Sequence, residues 1–132
     1  MNRTSVAELL TEARGGLSRL SPTAAEAAVR AGGLLIDIRP EAERAREGAI
    51  PGARLVGRNV FEWRCDPACE SADSEIVRDQ DRVLIVVCTE GYQSSLAAAM
   101  LQRFGYAKGT DLIGGFRAWR DAGLPVTRIQ GE

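Results

Sequence analysis

Residues 83–99 read VLIVVCTEGYQSSLAAA, and the order of their residue types decides the fold. Val83 to Val87 is a run of five apolar, mostly β-branched residues that leads straight into Cys88. A short polar segment with one glycine follows, then an alanine-rich segment suited to a helix. Strand, tight loop and helix N-terminus in succession place Cys88 at the carboxyl end of a strand. There it meets backbone N–H groups and the positive end of a helix dipole, which favour a nucleophilic thiolate. A buried structural cysteine fits the same run, because free cysteine packs as a small hydrophobe. The chain contains no histidine, so the Cys–His pairing of a thiol hydrolase is excluded.

The flanking segments repeat the alternation of strand and helix. Leu34-Leu35-Ile36-Asp37-Ile38 is a second apolar run broken by one acid, the pattern of a strand covered on both faces of a parallel sheet. Before it, Ser5 with Glu8 three residues later forms a capping box that predicts a helix over about 5–14, an N-terminal lid or spacer ending at Gly15-Gly16. Leu17 to Leu20 suits a short edge strand, and Ser21-Pro22 opens a helix reaching Gly32-Gly33. Pro40 to Glu47 reads as a charged surface helix, Arg54 to Val56 as a short strand, and NVFEWR (59–64) as a helical turn. From Cys65 to Asp81 the chain is polar and irregular, which predicts a mobile loop. A helix over 94–104 with Leu96, Met100, Leu101 and Phe104 on one face, a strand at 111–113, and a helix opened by Gly114-Gly115 complete the pattern. The expected architecture is α/β, a small, mainly parallel sheet with helices on both faces, where ligands bind at the carboxyl ends of the strands.

At 132 residues and 45% hydrophobic content the chain supports one domain with a core. Seventeen basic against 18 acidic residues give a net charge of -1, with no basic field to draw nucleic acid or an anionic membrane. No apolar run reaches the length of a membrane span, and three cysteines form no disulfide framework, so the expectation is a cytoplasmic protein. Cys65 and Cys69, in RCDPAC, lack the further ligands that zinc requires. They remain incidental loop thiols, resolving thiols for a Cys88 persulfide, or a redox pair of their own.

Three stretches together resemble the rhodanese-like family of sulfurtransferase domains: LLIDIRPEAE with the following GAIPGA, the loop CTEGYQS, and GGFRAWRDAGLPV. The resemblance spans roughly 17–127, which divides the chain into an N-terminal helical extension, 1–16, and a rhodanese-like domain, 17–132. It implies a persulfide cycle. The Cys88 thiolate takes a sulfane sulfur from thiosulfate or a persulfide, carries it as Cys–S–SH, and passes it to cyanide, a small thiol or a protein thiol. No metal or organic cofactor is implied. Sulfur transfer needs a thiolate and anion stabilisation but no obligatory base, which agrees with a chain lacking histidine. The resemblance assigns catalysis to Cys88 and substrate binding to Thr89, Glu90, Gly91, Tyr92, Gln93 and Ser94. The six residues from Cys88 to Gln93 match the loop length this family uses for sulfur chemistry, whereas related phosphatase domains carry one more.

One departure stands out. Where the family commonly has an arginine, this chain has Gln93, which donates hydrogen bonds without a charge. Losing a cation about 4 Å from an anion forfeits on the order of 1 to 4 kcal/mol. The departure supports a second expectation, a catalytically weak module that binds a partner or senses oxidants. Arg64, beside Trp63, is placed at the pocket mouth as a substitute cation, and Asp37 with Arg39 is read as a pair bracing neighbouring loops.

Overall fold

In the computed structural model, which describes residues 2–128, each apolar run contains a four-residue strand that is buried along its whole length. The outermost parts of the two segments divided above, residue 1 and residues 129–132, lie outside the described residues. Strands β1 (Leu34–Asp37), β2 (Arg54–Leu55), β3 (Leu84–Val87) and β4 (Gly109–Asp111) form one parallel sheet in the order β2-β1-β3-β4. Side chains alternate across a strand, and here the alternation sorts them into two cores. Leu34, Ile36, Leu84 and Val86 pack with Phe61, Ala97, Ala98 and Leu101 on one face. Leu35, Ile85 and Val87 pack with Ala25, Phe116 and Trp119 on the other. An unbroken apolar run is what two covered faces require.

Seven α-helices surround this sheet among the described residues: α1 (Val6–Gly15), α2 (Pro22–Arg30), α3 (Glu41–Glu47), α4 (Phe61–Cys65), α5 (Ser74–Val77), α6 (Gln93–Arg103) and α7 (Gly115–Asp121). None is long and apolar enough to cross a membrane. The Ser5–Glu8 capping box of α1 is formed in both directions, and Ser21 caps α2 with Pro22 at its first position. Helix α6 turns Ser94, Ala97, Ala98 and Leu101 inward, while Leu96 and Met100 are only half-buried. Small residues carry the buried face because they let the helix approach the sheet.

Three local expectations differ from the structure. Leu17 to Leu20 forms no strand: Leu20 alone bridges to Leu112, its N–H donating to the Asp111 carbonyl and its carbonyl accepting from Ile113 N–H. Strand β4 begins two residues earlier than 111–113, since Leu112 and Ile113 turn to meet Leu20. The polar segment 65–81 is anchored. Phe61 and Cys65, four apart on α4, and Ile76 of α5 are fully buried, and the Tyr106 hydroxyl donates to the Cys65 carbonyl at 2.6 Å. Asp73 caps α5 through the N–H groups of Glu75 and Ile76 and also receives Arg54.

Burial, reinforced by Asp73 and Glu62, pushes the Cys65 thiol up to about 12. Such a thiol stays protonated and packs as a hydrophobe. Cys65→Ser puts a hydroxyl into that apolar site and is expected to lower stability by about 1–3 kcal/mol, read as a lower urea midpoint at unchanged slope. Cys69, half-exposed with its sulfur 3.3 Å from the Ser71 hydroxyl, should tolerate serine within about 0.5 kcal/mol.

Candidate functional site

Cys88 follows the last residue of β3, and the chain from Thr89 to Tyr92 curls over it before α6 begins at Gln93. The curl depends on where each carbonyl goes. The Cys88 carbonyl accepts from Phe116 N–H at 2.8 Å and the Thr89 carbonyl from Arg117 N–H at 3.2 Å, both in the first turn of α7. The Gly91 carbonyl accepts from Arg14 Nη2 at 2.8 Å and Arg19 Nη2 at 2.9 Å. With these carbonyls held outward, the N–H groups of Gly91 and Ser94 reach the Cys88 sulfur at 3.2 and 3.3 Å. That is an anion cradle built from backbone.

Two glycines permit it. Gly91 has φ +90, and a Cβ there would lie 2.7 Å from the Gly114 nitrogen. Gly115 has φ +65, and its Cβ would lie 2.5 Å from the Cys88 carbonyl oxygen. The cysteine loop and the turn before α7 are therefore in backbone contact, which is why a glycine at 91 and a double glycine at 114–115 occur in one chain.

Cys88 is 7% exposed and sits at the floor of an open cavity of about 330 Å3. Thr89, Glu90, Tyr92 and Gln93 line it from the loop, and Arg39, Pro40 and Glu43 from the facing wall. The Thr89 hydroxyl donates to Glu43 across the cavity. Glu90 pairs with Arg117 at 3.1 Å, and Arg117 also holds Glu47, whose carboxyl its hydrogen bond keeps below the usual carboxylate range. Tyr92 is 59% exposed at the rim.

Arg39 and Asp37 are fully buried as side chains and joined at 2.8 Å. The guanidinium also donates to the Gly48 carbonyl and lies 3.9 Å from the centre of the Phe116 ring. The pair thus ties the end of β1 to the turn after α3 and to α7, and Arg39 reaches the cavity as well. Its charge is matched by Asp37. The two carboxylates of Glu43 and Glu90 leave the cavity wall with no net positive charge.

Arg64 does not join this group. Phe61 and Cys65 take the buried face of α4, and the Arg64 guanidinium turns to the Ser71 carbonyl at 3.3 Å, outside the cavity lining. The expectation of a substitute cation at the pocket mouth is corrected accordingly: the phase of α4 sends that side chain elsewhere. Trp63 likewise lines a separate depression with Glu62 and Cys69. Cys65, buried, offers no thiol to the cavity, and Cys69 is not among its lining residues.

Sequence reasoning missed four contributors. Glu43 lay inside a segment read only as a charged surface helix. Arg14, Arg19 and Asp111 form a layer behind the loop: Asp111, fully buried, accepts from the Ser94 hydroxyl at 2.6 Å, the Ser95 hydroxyl at 2.9 Å and Arg19 Nε at 2.9 Å. An acid in a fully buried strand next to the cysteine strand is the one local signal that pointed to it.

The family model for the rhodanese-like domain matches residues 21–122. A sulfurtransferase from Allochromatium vinosum is 36% identical over 98 residues, 74% of this chain and 81% of the relative. The thiosulfate sulfurtransferase GlpE of Stutzerimonas stutzeri is 33% identical over 77% of this chain and 84% of its own. A solved Rhodopseudomonas palustris protein of unknown function, called a possible tyrosine phosphatase, superposes with a TM-score of 0.84 at 32% identity, covering 96% of this chain and 98% of that one. A parallel sheet delivering one cysteine into a backbone cradle, with these matches across most of its length, makes the chain a member of the rhodanese-like domain family.

Proposed function

We propose that the protein is a sulfurtransferase that moves a sulfane sulfur through a persulfide on Cys88. The observation that carries this is the pair of backbone N–H groups, from Gly91 and Ser94, directed at the Cys88 sulfur. In the first step the thiolate attacks the outer sulfur of a donor R–S–SH or of thiosulfate. The donor S–S bond breaks and its electron pair leaves with the thiolate RS⁻ or with sulfite. In the second step an acceptor thiolate or cyanide attacks the outer sulfur of Cys88–S–SH, and Cys88 leaves as the thiolate. Both anionic states sit in the same cradle, so no general base is needed. Thr89, Glu90, Tyr92 and Gln93 contact the substrate in this reading. Three free thiols suit a reducing compartment, and the reaction is assigned to the cytoplasm.

The donor is read as a persulfide in preference to thiosulfate. Gln93 brings no charge, Arg39 is neutralised by Asp37, and Glu43 and Glu90 repel a dianion. The same features favour, as a second reading, a module of weak turnover that binds a partner or registers oxidants. Phosphatase chemistry is disfavoured, because Ser94 stands where a loop one residue longer would end in arginine. Cys88 should gain one sulfur atom from at least one of a panel of persulfide donors, seen by intact mass. Cys88→Ser should lose the gain completely while its circular dichroism stays unchanged. Uptake that survives this substitution would overturn the reading.

A further inference from the structure

The N-terminal helix touches the reactive loop through a residue that the matched family segment, 21–122, does not include. No residue of α1 is buried, yet its last turn carries Arg14 into the protein. Arg14 Nη2 donates to the Gly91 carbonyl at 2.8 Å, Arg14 Nε donates to the Ser95 hydroxyl at 3.0 Å, and the guanidinium lies 5.7 Å from the centre of the Tyr92 ring. Gly91 and Tyr92 belong to the cysteine loop, and Ser95 to the first turn of α6. The end of α1 is further tied to α6 by Gln102 Nε2, which donates to the Gly16 carbonyl at 2.9 Å.

The two arginines on the Gly91 carbonyl differ in charge balance. Arg19 is paired with the buried Asp111, so its charge is offset. Arg14 has no carboxylate within ion-pair distance among the described residues. It is therefore an uncompensated cation applied to the outer side of the loop, while the inner side, at Gln93, has none. We infer that Arg14 is a positioning residue for Cys88: it holds the Gly91 peptide with its neighbouring N–H on the sulfur, and supplies from outside the cavity the positive charge that Gln93 does not supply from within. The N-terminal extension is then a working part of the site rather than a spacer.

This inference rests on Cys88 being the reacting thiol, but its test needs no sulfur donor. In a Cys69→Ser background, where Cys65 is buried, iodoacetamide reports on Cys88, and the alkylation rate is measured against pH. Arg14→Ala and Arg14→Gln should each move the profile to higher pH by about half to one unit, a roughly three- to tenfold lower rate at neutral pH, with the plateau at high pH unchanged. Arg14→Lys, which keeps the charge and loses the fork, should recover more than half of the shift. A role confined to anchoring α1 would lower the melting temperature and leave the profile in place. Should Arg14→Ala not fold, Arg14→Gln decides. A profile that overlays the parent's overturns the inference, even with sulfur uptake intact. Absent uptake with the shift present would overturn the sulfurtransferase reading alone.

Discussion

Asp111→Ala is expected to lower the melting temperature by on the order of 10–20 °C. Asp111 is fully buried at the end of β4 and accepts from two hydroxyls and one guanidinium. Alanine leaves Arg19, only 18% exposed, without its counter-charge and strands Ser94 and Ser95 without an acceptor. Removing one partner of a buried pair costs about 3–5 kcal/mol, which sets the temperature range for a domain of this size. The damage falls on the cradle itself, because Ser94 donates its N–H to Cys88 and Arg19 holds the Gly91 carbonyl. Sulfur uptake should therefore slow even at temperatures where the variant is folded. Asp111→Asn, which keeps an acceptor of the same shape, should lose less of both. A melting temperature within a few degrees of the parent for Asp111→Ala would show that the layer behind the loop is held by other contacts.

Gln93→Arg is the change expected to act most strongly on substrate choice. Gln93 lines the cavity beside Glu90 and Tyr92, at the N-terminus of α6, where a longer cationic side chain projects toward the substrate space. With Arg64 bound to the Ser71 carbonyl and Arg39 matched by Asp37, no other cavity residue among the described residues supplies a free cation. The new charge would sit in a partly desolvated pocket and attract dianionic thiosulfate. A gain of about 1.4 kcal/mol is tenfold in kcat/KM, and raising the salt concentration should erode it. Persulfide donors of low charge should respond much less. Unchanged thiosulfate kinetics in a folded variant would mean that the cavity does not bind the anion at this position, and would favour the partner-binding reading.

The apolar runs at 34–38 and 83–87 made the sheet legible, because a parallel strand covered on both faces has no polar side to disguise it. The cysteine loop was legible for a related reason. An apolar strand, one glycine and a helix start are local features, and they fix where Cys88 emerges. Segment 65–81 was misread because its anchors are sparse: Phe61, Cys65 and Ile76 carry it, and two apolar residues four apart do not stand out in a polar stretch. Apart from the acid in β4, the layer behind the loop left no local sign. Arg14 and Gly91 are 77 residues apart, and a guanidinium meeting a backbone carbonyl leaves no periodicity in either segment. Arg64 failed for a third reason, since the rotation of a five-residue helix about its axis is set by packing, not by the order of its residues.

In the proposed cycle the transferred sulfur resides on Cys88. The direct measurement is single-turnover loading with a persulfide donor, followed by alkylation under conditions that keep the persulfide and by peptide mapping of all three cysteines. The extra sulfur is expected on the peptide containing Cys88, at close to one per chain, with Cys65 and Cys69 unmodified, and should be removed on adding an acceptor thiol. Sulfur found on Cys65 or Cys69 with Cys88 unmodified would contradict it.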